Sequence, residues 1–133
     1  MAGEKELYKK IKDWAYKTYG EINPDKRTGL LKIAKLSMLG MYGDSGWQDM
    51  AIFIKDTKRL GHLCLMELKN PAERWVLSAK QAQRKRETEA MGFGSYVVDN
   101  FDEACRVIEM HVAYAQGRTP HIKWPENTKG ILE

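Results

Sequence analysis

Asp49, Glu67 and Lys69 are the residues whose types and spacing could do chemistry. Glu67 and Lys69 stand two apart in an alternating run, His62-Leu63-Cys64-Leu65-Met66-Glu67-Leu68-Lys69, so on a strand both leave one face while Leu68 leaves the other. Asp49 closes the lead-in Gly46-Trp47-Gln48-Asp49 to the apolar, β-branched run Met50-Ala51-Ile52-Phe53-Ile54. A charged break from Lys55 to Gly61 separates the two runs, which together predict a β-hairpin. With Ile54 opposite His62, paired residue numbers sum to 116, and Asp49 falls directly across from Glu67. Two carboxylates held together raise each other's pKa unless a cation neutralises them. An all-oxygen pair suits a hard divalent ion such as Mg²⁺, which keeps several waters and takes phosphate oxygens as its remaining partners. The same residues also fit an exposed hairpin end carrying an ordinary Glu–Lys pair, and spacing alone does not choose between the two.

The elements that must position this patch follow from periodicity. From Glu4 to Tyr19, Leu7, Ile11, Trp14, Ala15 and Thr18 share one helical face, and Gly20 ends the helix. Glu4 lies on that stripe and Glu6 lies off it, so Glu4 is either a helix-dipole residue or an inward-looking acid. Tyr19 to Ile22 reads as a short strand, and Asn23-Pro24-Asp25 as a turn. Thr28 to Leu39, with Leu31, Ala34, Leu36 and Met38, reads as a second helix stopped by Gly40, and Met41 to Gly46 as a glycine-rich loop that is not a P-loop. Beyond Asn70-Pro71, Ser78-Ala79-Lys80-Gln81 opens a helix running to Met91. The Ser-x-x-Gln spacing is that of a capping box, and a structural and a catalytic role for Gln81 can coexist. Ser95 to Val98 is a short buried strand, and a strand-helix-strand crossover from the Glu67 strand makes it parallel, with the right-handed connection. Asn100 with Glu103 caps a last helix whose stripe is Phe101, Ala104, Cys105, Ile108 and Val112. The expected fold is α/β: a small mixed central sheet flanked by helices.

The chain has 133 residues, 43% of them hydrophobic, which suits one domain over residues 1–116, with 117–133 an extended arm of the same domain. No run is long enough to span a membrane and the N-terminal stretch is charged, so a soluble intracellular protein without membrane partners is expected. Cys64 and Cys105 lack disulfide or metal spacing and read as reduced, buried thiols. The net charge of +4 is modest, but basic residues cluster at Lys9-Lys10-Lys12, Lys26-Arg27, Lys55-Lys58-Arg59 and Arg84-Lys85-Arg86. Each cluster alone is an ordinary solvated face. Together with a paired-carboxylate patch they suit a polyanion.

From Glu4 to Tyr114 the chain resembles the virus-type replication-repair nuclease (VRR-NUC) domains of the PD-(D/E)XK nuclease superfamily. The resemblance is carried by Glu4-x-x-Leu7, Asn23 with Lys26-Arg27-Thr28, Ala34-Lys35-Leu36 with Met38 before Gly40, and Gly46-Trp47-Gln48-Asp49. It continues through Met66-Glu67-Leu68-Lys69, Leu77-Ser78 with Gln81, and Gly92 followed by Tyr96-Val97-Val98 and Asp102-Glu103-Ala104. Gln48 stands where the family usually has proline, and Ala72 to Val76 is less glycine-rich than is typical.

The resemblance implies a PD-(D/E)XK nuclease-like core in which Asp49, Glu67 and the backbone carbonyl of Leu68 hold Mg²⁺ or Mn²⁺. Lys69 acts on the attacking water, Gln81 orients the water or Lys69, and Glu4 is an outer-shell or second-metal carboxylate. It further implies a viral or phage endonuclease, working in the host cytoplasm, that cuts four-way (Holliday) junctions or related branched double-stranded DNA as a homodimer. The alternatives are a flap- or single-strand-specific nuclease acting as a monomer, and a non-catalytic DNA-binding module. The expected dimer contacts are the predicted helix with Leu30, Leu31, Ile33 and Leu36, and the loop around Met41, Tyr42 and Trp47. Core packing is the other use those residues could have.

Overall fold

Three of the four strands lie where a short apolar run, an alternating run and a short buried run predict them, and the fourth lies where a helix is expected. A computed structural model describes residues 2–36, 46–57, 61–70 and 75–117. Its elements in chain order are α1 (Ala2–Tyr19), β1 (Leu31–Lys35), β2 (Met50–Ile54), β3 (His62–Leu68), α2 (Ala79–Ala90), β4 (Gly94–Val98) and α3 (Phe101–Ala115). The four strands form one mixed sheet in the order β1-β2-β3-β4, antiparallel except for the parallel pair β3–β4. The chain is thus α/β, a small mixed sheet flanked by helices. No helix among the described residues is long and apolar enough to cross a membrane.

The hairpin register is the one expected: Met50 pairs with Met66 and Ile54 with His62. One face of the sheet carries Leu31, Ile33, Ile52, Cys64, Met66 and Val98, which pack with Leu7, Ile11 and Ala15 of α1 and Ala104, Val107, Ile108 and Val112 of α3. Fully burying each such aliphatic contributes about 1.5–3 kcal/mol, so this layer is the main apolar core. Thr18, expected on the α1 stripe, is exposed. The opposite face is covered in part by α2, where Leu77, Ala82 and Val97 form a second, smaller cluster.

The helix expected from Thr28 to Leu39 is not formed where the structure describes it. Leu31 to Lys35 is strand β1, and its burial alternates, with Leu31 and Ile33 inside and Lys32 out. The period-2 pattern Leu-Lys-Ile outweighs the looser helical spacing of Leu31 and Ala34 once Ile52 and Ile54 offer a partner strand. Gly29 adds a local reason: at φ +88° its Cα lies so close to Glu21 that a Cβ would fall 2.1 Å from the Glu21 carbonyl oxygen. That close approach lets Ile22 donate its amide to Leu31 at 3.0 Å. Residues 37–45 lie outside the described residues, and with them Met38, the Gly40 stop and the glycine-rich loop up to Ser45. Ala72 to Arg74 and the arm beyond Gly117 also lie outside them.

The remaining elements end where their caps predict. Ser78 caps α2 with a complete capping box to Gln81, and the Asn100 side chain accepts the Glu103 amide at the start of α3. Cys64 and Cys105 are free thiols, Cys64 buried and Cys105 partly so.

Candidate active site

Asp49 sits one residue before β2 and Glu67 one residue before the end of β3, so the register next beyond Met50–Met66 opposes them. The Asp49 carboxylate continues the ladder: its Oδ2 accepts the Leu68 amide at 2.7 Å. Glu67, by contrast, is 4% exposed, and among the described residues no amide, hydroxyl or amine donates to its carboxyl, whose neighbour is the Asp49 carboxyl. Its carboxyl is pushed up to about 10, first by burial, then by the Asp49 carboxyl beside it. Glu4, in the first turn of α1, adds to the same rise, while Lys69 works against it. An acid raised this far sits where a positive charge belongs.

The amine is held from the helix side. Lys69 Nζ donates to Gln81 Oε1 at 3.1 Å, and that oxygen also accepts the Ser78 amide at 2.9 Å. The Gln81 amide in turn donates to Ser78 Oγ at 3.1 Å. The capping role and the contact with Lys69 are therefore carried by one side chain.

Of the residues singled out in the sequence, Asp49, Glu67, Leu68, Lys69 and Gln81 gather where β2 begins, β3 ends and α2 starts. Glu4 stands at the margin of the site: α1 begins against the residue that follows Lys69, so closely that a Cβ on Gly3 would fall 2.7 Å from Asn70 Oδ1. Its charge is felt at Glu67. Among the described residues no group of three or more His, Cys, Asp or Glu side chains is arranged to hold a metal ion. Any cation taken here would rest on two carboxylates, the backbone and water.

Gln48 is the residue whose part the sequence did not reveal. It is buried, and its Nε2 donates both to Thr88 Oγ1 of α2 at 3.0 Å and to Ser95 Oγ of β4 at 2.8 Å. Where a proline would fix the backbone ahead of Asp49, this chain ties it by hydrogen bonds to two other elements. Its Oε1 is unpartnered and, with Glu67, Gln81 and Ser95, lines a cavity of about 10 Å³ behind the carboxylate. Gly46, at φ +82°, lies so close to the first turn of α2 that a Cβ would sit 2.6 Å from Lys80. Trp47 lies under the Arg84 guanidinium at 4.6 Å. The only advance signal was a polar residue set between Trp47 and an apolar strand.

The basic clusters are partly spent on structure. Lys85 is buried and bonded to Glu89 at 2.9 Å, Arg84 pairs with Glu87, and Lys9 pairs with Asp13. A second polar chain, not anticipated, lies near the far end of β3, where His62 Nε2 meets His111 Nδ1 at 2.6 Å and His111 Nε2 meets the Tyr96 hydroxyl at 2.8 Å.

No family model matches this chain, and neither the curated proteins nor the solved structures contain a match to it.

Proposed function

We propose that the chain is a Mg²⁺- or Mn²⁺-dependent endodeoxyribonuclease of the VRR-NUC type, cutting branched DNA such as four-way junctions. One observation carries the reading: Glu67 buries its carboxyl against that of Asp49, with no donor from another described residue, and Lys69 is held two residues further along the chain. A buried acid set against a second acid is unfavourable unless a proton or a cation neutralises the pair, and an apolar residue would pack there at less cost. The donor set fits a hard divalent ion, with Asp49 Oδ1, Glu67 and the Leu68 carbonyl as its protein ligands. Bound there, the ion supplies charge stabilisation at the scissile phosphate and a more acidic water.

The chain's own residues do the rest. Asp49 cannot swing away, because its Oδ2 is tied to the Leu68 amide. Gln81 holds Lys69 so that its amine can orient or deprotonate the attacking water, and Glu4 adds negative charge at the site's edge. Symmetric junction cleavage calls for two such sites in a homodimer.

A monomeric flap or single-strand nuclease is the second reading, and one observation favours it. Leu31 and Ile33, expected as dimer contacts, are buried inside the chain's own core. The test is a cleavage panel of four-way junction, flap, single strand and linear duplex with Mg²⁺, Mn²⁺ or EDTA, run beside light scattering. Cleavage that survives both EDTA and Asp49→Asn would overturn the metal-nuclease reading. A monomer that cuts flaps and spares junctions selects the second one.

A further inference from the structure

The sheet face that carries Glu67 is only half covered. Pairing places Lys32 beside Phe53 and Phe53 beside Leu63, and continuing the β3–β4 register by one residue brings Phe93 next in line. This row crosses β1, β2 and β3 and ends at the residue before β4. Phe53 is 48% exposed and Phe93 38%, although Phe53 belongs to a central strand where an aromatic would ordinarily be covered. With Lys55 and His62 these residues line an open groove of about 430 Å³ whose charged lining residues, among those described, are Lys55 and Lys32, the latter paired with Glu21. The row stands four residues before Glu67 on the same face, about 13 Å along β3 at the usual strand rise.

We propose that this groove binds an unpaired nucleic-acid strand leading to the Asp49–Glu67 centre, its bases stacking on Phe53 and Phe93 and its phosphates meeting Lys55 and Lys32. The proposal rests on the nuclease reading for its link to cleavage. Its occupant follows from the surface itself. Aromatic faces set beside cations are what a strand of any sequence needs, because every base has a face to stack. A duplex keeps its bases stacked inside and gains little from Phe53, so the groove selects for substrates with a single-stranded portion.

The experiment measures binding of a fluorescent oligo-dT by anisotropy in EDTA, with a blunt duplex as control, for the full chain and for Phe53→Leu, Phe93→Leu and Phe53→Tyr. Either leucine variant should weaken oligo-dT binding by roughly 5- to 100-fold, the range of one base–aromatic stack, while Phe53→Tyr stays near wild type and duplex binding is unchanged. Photocrosslinking of unaltered protein to a bromouracil oligonucleotide should mark the peptides holding Phe53 or Phe93, and needs no variant to fold. Wild-type oligo-dT affinity in both leucine variants, or crosslinks confined to other peptides, overturns the proposal. So does a dimer that Phe53→Leu converts to monomer without changing strand binding, which would make the groove a contact between two copies. Phe53-dependent binding together with cleavage indifferent to Asp49→Asn keeps the groove and removes the nuclease reading. Loss of cleavage in Asp49→Asn with no role for Phe53 does the reverse.

Discussion

Lys69 and Gln81 share an oxygen with the start of a helix: Gln81 Oε1 receives both the Lys69 amine and the Ser78 amide. Loosening the cap of α2 therefore loosens the amine. Gln81→Ala should lower turnover by roughly 10- to 100-fold, and destabilise the fold by only about 1 kcal/mol, the usual value of a cap interaction. Lys69→Ala should lose turnover while keeping DNA affinity within a few-fold, since one amine among many contributes little to binding. Single-turnover kinetics with a parallel binding titration checks both. Equal losses of rate and affinity in Lys69→Ala would make Lys69 a phosphate anchor.

Glu67 links the site to stability. Its carboxyl keeps a proton up to about pH 10 when folded, whereas an unfolded glutamate releases it near 4.5. The folded state thus binds more protons between those values, so its stability falls as pH rises through that window. By pH 7 the loss is on the order of 3 kcal/mol. Glu67→Gln, neutral at every pH, should remove this slope and melt higher than wild type at pH 8 in EDTA, yet be inactive. Mg²⁺ should raise the melting temperature of wild type more than that of Glu67→Gln. A variant less stable than wild type at pH 8 would mean that the carboxylate has a partner in the metal-free protein.

His111 runs the opposite way. Burial, aided by His62, lowers its pKa from 6.5 to about 4. The unfolded chain then binds the extra proton between those values, so stability is full above pH 6.5 and is lost as pH falls towards 4, by roughly 3 kcal/mol in all. Because Glu67 opposes this slope from pH 4.5 upward, the measurement belongs in the Glu67→Gln background. Urea titrations from pH 7 to 4 should show the loss there and not in Glu67→Gln combined with His111→Gln.

Gln48 should behave as a support. Gln48→Leu leaves Ser95 without that donor and removes the hydrogen bonds that tie the Asp49 lead-in to Thr88 of α2 and Ser95 of β4. We expect a loss of about 1–3 kcal/mol in chemical denaturation and a weaker Mg²⁺ dependence of cleavage. Stability and metal response both unchanged would leave Gln48 without a positioning role.

What the sequence disclosed divides along physical lines. The hairpin register and the caps at Ser78 and Asn100 were legible because local alternation and capping chemistry decide them. The parallel strand β4 was legible because a helix separates it from β3, as a crossover between parallel strands requires. β1 was not, because Leu31-Lys32-Ile33-Ala34 fits two periods, and only the partner strand β2 settles which one is used. At the candidate site, the opposition of Asp49 and Glu67 followed from pairing arithmetic, and the capping box placed Gln81. The bonds of Gln48 to Thr88 and Ser95 join residues 40 and 47 positions apart, a separation no local pattern encodes.

The two neighbours of β3 also set an order of assembly. Its pairing with β2 closes a short loop, which hairpins do in microseconds, whereas its parallel pairing with β4 must wait for α2 to cross over. The two acids are therefore brought together early, before Gln81 can steady Lys69. While both acids are still ionised their repulsion adds to the folding barrier, so whatever neutralises one of them, a proton or a divalent ion, should speed refolding in stopped-flow more than it slows unfolding.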